Sequence, residues 1–232
     1  MQSGLAGSAF VAIWHDIVPE GLDDFHPWHD REHMPERLAI PGFLRGRRYR
    51  RVERDGPEFF NLYEVATFDV LTGADYLARL DAPTPWTLRA VKHFRNVTRG
   101  LCRLAGTTGE ASGGFIATVR FAAELGMEGE LRRHLVEVAL PALALCPGVL
   151  AAHVGVADDA ASSVTTAEKR ARGNPTDIPR WVAMVEGISG RAVLDAAEGA
   201  FTARPLASHG LAGEAQVAAY ALESERRATG VR

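Results

Sequence analysis

Apolar positions along this chain follow two periods, and the order in which the periods appear is repeated. Ser8 to Val18 is rich in apolar residues and alternates, as a strand does. From Asp23 to about Ile40 the spacing is helical, with Asp23 placed to N-cap, Pro27 in the first turn and Pro41-Gly42 as the stop. Strands are predicted from Phe43 to about Val52 and from Phe59 to Ala66, with Asp55-Gly56 as the hairpin turn between them. Thr72-Gly73-Ala74-Asp75 has the form of a capping box opening a helix through Leu80. Thr84-Pro85-Trp86 caps a further turn or two, to about Phe94. A strand from about Asn96 to Leu104 completes a β-α-β-β-α-β order, the split βαβ plan.

The same plan then starts again. Gly106-Thr107-Thr108-Gly109 through Ser112-Gly113-Gly114 reads as a linker. After it, Phe115-Ile116-Ala117-Thr118 echoes Phe10-Val11-Ala12-Ile13 at an offset of 105 (115 − 10). Pro35 matches Pro141 and Pro41-Gly42 matches Pro147-Gly148, both at 106; Tyr63-Glu64 corresponds to Val185-Glu186. A helix from about Arg191 to Phe201 and a strand from about Glu214 to Leu222 follow. These landmarks divide the chain into repeats over 1–106 and 107–232. An antiparallel sheet covered by helices on one side must bury its other face. Two such sheets in one chain bury those faces on each other, so the expected fold is α+β, two tandem β-α-β-β-α-β repeats packed sheet to sheet as a barrel. The polar stretch from Asp158 to Pro179 is far longer than its counterpart in the first repeat, and is expected to be a lid or an assembly contact.

The two copies differ sharply along their first helix. In the second, Leu131, Leu135, Val138, Ala139, Ala142 and Leu143 form an apolar stripe for the sheet. A shift of 106 puts Phe25, His29, Glu32, His33, Glu36 and Arg37 on that stripe in the first. Burying unpaired charge or imidazole is costly, so this face is expected to line a polar or ligand-filled cavity. The alternative is a helix rotated so that Trp28, Leu38 and Ala39 meet the sheet and the histidines meet water.

Glu32-His33-Met34-Pro35, within Phe25-His26-Pro27-Trp28-His29-Asp30-Arg31-Glu32-His33, resembles the helix motif of EthD-like proteins in the ferredoxin-like dimeric α/β-barrel superfamily. The repeated plan is similar to tandem members of that group over nearly the whole chain. This resemblance implies a small-molecule pocket between sheet and helices, with His33 at the matched histidine, and activities of the cofactor-free lyase, isomerase or monooxygenase kind. Ala139 stands where a second such histidine would be, so one active pocket per chain is expected.

On this basis His33 is the candidate general acid or base, with His29 and Glu32 orienting or relaying protons. His15, at the end of the first strand, is a second acid/base or a rim residue. Trp28, Trp86 and Arg99 are candidates for the pocket border. Glu64 recurs as Glu186 and is read first as a partner for arginine, then as a substrate contact. Arg45, Arg47, Arg48, Arg50 and Arg51 fall on alternate faces of one strand, which suits edge protection and ion pairing better than nucleic-acid binding, with one of them a candidate to bind a carboxylate or phenolate substrate. His26, His29 and His33 have ligand-like chemistry, yet span two helical turns; a His29/His33 pair completed by His15 is the minority, metal-binding reading. The expected function is cofactor-independent proton transfer, an isomerase, dehydratase or related lyase step, on an apolar aromatic or polyketide-like molecule. Its rivals are a carrier of a hydrophobic metabolite and a metal-assisted oxygenase.

Composition narrows the partners. A formal net charge of −3 over 232 residues argues against general nucleic-acid or membrane-surface binding. The two cysteines, Cys102 and Cys146, form no disulfide framework or ligand cluster. Met1-Gln2-Ser3-Gly4 lacks the basic region of a signal peptide, and no apolar run spans a bilayer, so a cytoplasmic protein is expected. Exposed strand edges would favour a homodimer.

Overall fold

Eight strands close into one barrel in the computed structural model, which describes residues 4–53 and 56–229. The first repeat supplies β1 (Ala9–Ile17), β2 (Phe43–Glu53), β3 (Phe59–Val65) and β4 (Phe94–Thr108); the second supplies β5 (Phe115–Ala123), β6 (Val149–Ala157), β7 (Trp181–Gly187) and β8 (Leu211–Arg227). All neighbours are antiparallel, in the order β1-β3-β2-β8-β5-β7-β6-β4 and back to β1. The α+β class and the tandem β-α-β-β-α-β plan are therefore as expected. The two four-stranded sheets join at their edges, β2 to β8 and β4 to β6, and their bare faces meet across the barrel. Closure corrects two expectations. The arginine-rich strand is not an edge, and the argument for a homodimer from exposed edges loses its basis. Asp55 of the expected Asp55-Gly56 turn lies outside the described residues.

Period-two alternation sends Phe10, Trp14, Phe60, Leu62, Ile116, Met184 and Tyr220 into the barrel. Near one end the buried Arg47 reaches across it, donating to Glu64 at 2.9 Å and to both oxygens of Glu186 at 2.8 and 2.9 Å. Arg45 donates to Glu64 at 2.9 and 2.8 Å. Burial alone would raise the Glu186 pKa; Arg47 and His153 outweigh it and pull the carboxyl down to about 2.

The helices lie outside. In the first repeat they are α1 (Leu22–Trp28), a π turn over His29–His33, α2 (Met34–Leu38), α3 (Asp69–Thr72), α4 (Ala74–Asp81) and α5 (Pro85–Ala90). The second has α6 (Glu128–His134), a π turn over Leu135–Ala139, α7 (Leu140–Leu143), then α8 (Asp159–Ser163), α9 (Ala167–Arg172) and α10 (Gly190–Phe201). Both π turns sit just before a proline, Pro35 or Pro141, whose ring would strike the carbonyl of residue i−4 in an α-helix. The wider turn lets the amide of Met34 bond to the His29 carbonyl instead, and that of Leu140 to Leu135. Two caps differ from expectation. Asp23 falls inside α1 with Gly21 at its N-cap, and Thr72 ends α3 while Gly73 caps α4 without a side chain.

The strand offset is also corrected. Phe10 pairs with Glu64 as Ile116 pairs with Glu186, so β1 and β5 match at 106 rather than 105. A slip of one residue exchanges the faces of a strand, so this difference matters for the site.

The 158–179 connection leaves its own repeat and covers the first. β6 pairs with β4 only from Cys102 to Thr108. The free edge beyond is taken by the connection: Arg99 N donates to Asp177 O at 2.8 Å, Asp177 N to Val97 O at 3.0 Å and Asp158 N to Leu101 O at 2.9 Å. The Ser162 hydroxyl accepts from Leu101 N at 3.0 Å. Of the two expected roles, lid or assembly contact, this placement is that of a cover.

Candidate functional site

With the offset set at 106, the outer face of each sheet and its first helix can be compared position by position. In the second repeat Phe121, Ala183, Val185, Leu131, Leu135, Ala139 and Leu143 belong to one apolar core. Their counterparts in the first are His15, Asn61, Tyr63, Phe25, His29, His33 and Arg37, all of them buried. Where the second copy is filled with apolar groups, the first encloses a cavity of about 70 Å³, between the sheet, α1–α4 and the cover. Trp28, His29, His33, Arg37, Asn61 and Tyr63 line it from the barrel side. Since one water needs roughly 10–15 Å³ by this measure, a multi-ring ligand requires the cover to give way. The rotated-helix alternative is excluded: His29 and His33 are 1% and 7% exposed. Glu32 and Glu36 leave the stripe, as do Val138 and Ala142 at the matching positions.

Hydrogen-bond donors fix the state of His29. Arg48 Nη1 lies 3.1 Å from His29 Nδ1, and a guanidinium can only donate, so Nδ1 accepts. The neutral ring then carries its proton on Nε2 and donates it to the Tyr63 hydroxyl oxygen at 3.1 Å. Burial, then the charges around it, hold the His29 pKa well below the ordinary imidazole range, which agrees with this neutral tautomer. Tyr63 accepts from His29, so its own O–H is left to donate elsewhere; burial raises its pKa and keeps that proton on. Arg48 is itself held by Asp30 at 2.8 Å and Glu223 at 2.9 Å.

His33 stacks at a tilt on Trp28, ring centroids 4.4 Å apart, and lies 5.6 Å from the His29 ring. Its Nδ1 is buried without a hydrogen-bond partner. Burial first, and Arg37 second, push its pKa well below the ordinary value. The ring is therefore neutral at pH 7 and able to take a proton.

The remaining sequence candidates separate into four groups. Arg99 lines the cavity and donates to the Tyr76 hydroxyl at 2.7 Å. Glu32 and Trp28 meet at Thr87: Trp28 Nε1 donates to its hydroxyl at 3.1 Å, which donates to Glu32 at 3.3 Å, while Thr84 donates to the same carboxylate at 2.5 Å. Glu32 thus braces α5 and the tryptophan beneath His33 without facing the cavity. His15 stands behind the wall, ringed by Phe25, Phe59 and Phe94, with Nε2 accepting from Asn61 at 2.8 Å; burial lowers its pKa to about 3. Two candidates lie elsewhere. Glu64 is inside the barrel with Arg45 and Arg47, and Trp86 binds Asp24 at 2.7 Å outside the cavity lining. Arg37, expected on the cavity-facing stripe, lines the cavity; Tyr63, Asn61, Arg48 and the cover residues Glu168, Lys169 and Arg172 are site residues not anticipated individually. As to metal, both His29 nitrogens are engaged, and no group of three or more His, Cys, Asp or Glu side chains suited to an ion occurs among the described residues. No helix there is long and apolar enough to cross a membrane.

No protein-family model and no curated protein matches the chain. Solved structures do. An anthrone oxidase-like protein superposes with a TM-score of 0.62 at 15% identity, covering 98% of this chain and 96% of the other. A candidate monooxygenase from Lactobacillus acidophilus gives 0.59 at 10% identity, covering 96% and 97%. A second, from Fusobacterium nucleatum, gives 0.58 at 8%, covering 98% of each chain. Likeness at such identities is likeness of fold, end to end: the chain has the architecture of the ferredoxin-like dimeric α/β-barrel proteins, with both barrel halves in one polypeptide.

Proposed function

We propose that this chain is a cytoplasmic, cofactor-independent enzyme of EthD-like type that moves a proton on an apolar aromatic or polyketide-like molecule. Residues 1–106 carry the reacting groups and 107–232 supply the other barrel half and the cover. The observation behind this reading is the pairing of His33 and Tyr63 on one cavity. His33 lines the cavity, where its neutral imidazole can accept a proton from an activated C–H, and a phenol with a spare hydrogen can donate to the oxyanion that forms. His29 sets the direction of the Tyr63 hydroxyl. Glu32 acts at one remove, through Thr87 and Trp28, as a positioning residue. The fold neighbour described as anthrone oxidase-like supports an aromatic ketone as the first substrate to try. Oxygen chemistry is the second reading, because an enolate made at this site is electron-rich and the structural neighbours include two candidate monooxygenases.

The test is hydrogen exchange at the methylene of anthrone and related C–H acids in D2O under nitrogen, followed by NMR. Wild type is expected to accelerate exchange. His33→Ala is expected to lose at least a hundredfold of that acceleration with a thermal midpoint equal or higher, since an imidazole gives way to the residue its repeat uses. Exchange that survives the substitution removes His33 from the chemistry. Oxygen uptake by the same mixture in air separates the second reading, and binding without exchange or uptake favours a carrier.

A further inference from the structure

The cover does more than close the cavity. Five charged side chains line the cavity: Arg37, Arg99, Glu168, Lys169 and Arg172. Glu168 is taken by Arg37 in an ion pair. That leaves three cations whose hydrogen bonds go to neutral oxygens: Arg99 to the Tyr76 hydroxyl at 2.7 Å, Lys169 to the Ser163 carbonyl at 3.3 Å and Arg172 to the Thr176 hydroxyl at 2.5 Å. No ion pair to any of the three occurs among the described residues, and Arg172 Nε is buried with no partner. The histidines of the cavity are neutral and add no negative charge to offset them.

We propose that the substrate carries a carboxylate, seated by Arg99, Lys169 and Arg172 beneath α9, with its apolar body directed towards Trp28, His33 and Tyr63. Unbalanced like charge in a half-dry site is unfavourable until an anion enters. The three cations feel one another. Burial first, then Arg99 and Arg172, lower the Lys169 pKa; burial lowers that of Arg172, where Arg99 adds to the effect and the Glu168 carboxylate opposes it without reversing it. A guanidinium offers two parallel donors to a carboxylate, and Ile13, Phe43, Leu71, Leu80, Phe94 and Leu101 supply apolar walls for the rest of the molecule. Lys169 and Arg172 belong to the cover and Arg99 to β4, so the anion bridges the cover and the barrel wall. The ligand itself would thus hold the cover shut.

This inference rests on the cavity being the substrate site and deepens the reading above, and the test separates the two. Calorimetric titration of the full chain with 2-naphthoate and with its neutral isostere 2-naphthamide is expected to give at least tenfold tighter binding of the acid. Lys169→Gln and Arg172→Gln are each expected to weaken naphthoate at least fivefold and leave naphthamide unchanged, a ratio that a general loss of folding would not produce. Equal affinity for the two probes, or variants that weaken both alike, overturns the anion seat and leaves the His33 chemistry standing. Failure of both probes to bind at millimolar concentration overturns the seat and the ligand cavity together. Loss of exchange activity in His33→Ala with the naphthoate preference intact is the expected combined result.

Discussion

At the scale of single residues, the site depends on which atom of each group is a donor. Arg48 can only give hydrogen bonds, and this one constraint passes through the His29 ring to leave the Tyr63 hydroxyl hydrogen free. Tyr63→Phe removes that donor and little volume. The expected loss is 10²–10³ in kcat with a small change in KM, as for removal of an oxyanion donor, and steady-state kinetics on the exchanging substrate reads it. An equal loss in binding would make Tyr63 a ground-state contact. His29 and His33 were legible in the sequence because the second repeat displayed aliphatic groups at the same positions. Tyr63 and Asn61 carried the same signal against Val185 and Ala183. It was masked because β3 is buried on both faces, so alternation gave no contrast. Glu64, one residue from Tyr63, faces the opposite way and serves the barrel.

Among elements, the π turn and the cover decide what the histidines face. A π turn was not readable from periodicity, but its cause was: a proline thirteen or so residues into a helical stretch in both copies, at Pro35 and Pro141. The length of the 158–179 insert marked it as a lid or contact, yet nothing local said which repeat it would cover. That choice follows from β4, whose edge beyond the reach of β6 would otherwise hold unpaired amides. Ser162 is one of the bonds that pin the cover there, buried and accepting from Leu101 N. Ser162→Ala leaves that amide without a partner and should cost about 1–2 kcal/mol. Hydrogen exchange resolved by residue is expected to show faster exchange at Leu101 and through 158–179, with β1 and β3 unchanged. Uniform acceleration across the barrel would mean that the cover and the barrel open as one unit.

For the molecule as a whole, a single barrel ties the polar cavity of one repeat to the dry core of the other. The Glu64–Arg47–Glu186 bridge crosses between the two sheets, so neither half is complete alone. The recurrence of a strand glutamate was visible in the sequence, and so was its arginine partner class; edge-to-edge closure was not, because hydrophobic patterning reports faces and is silent about edges. The cost of the site then falls on overall stability through three imidazoles held neutral by burial, His15, His29 and His33. Each has a folded pKa below the ordinary 6.5, about 3 for His15, so between those values the unfolded chain binds more protons than the folded one. Stability is therefore complete above about pH 6.5 and falls as pH drops below it, before ordinary carboxylates begin to titrate. Each histidine approaches a slope of about 1.4 kcal/mol per pH unit only once its unfolded form is fully protonated, so between pH 6.5 and 5.5 each removes about 1 kcal/mol and the three together about 3 kcal/mol, a large share of a typical domain's 5–15. Urea unfolding at pH 7.5, 6.5 and 5.5 measures it. His15→Phe, which copies Phe121 of the second repeat and lies behind the cavity wall, should reduce the slope by about a third and leave the exchange activity in place. A slope unchanged by that substitution would mean that His15 takes up its proton in the folded barrel, which its cage of Phe25, Phe59 and Phe94 argues against.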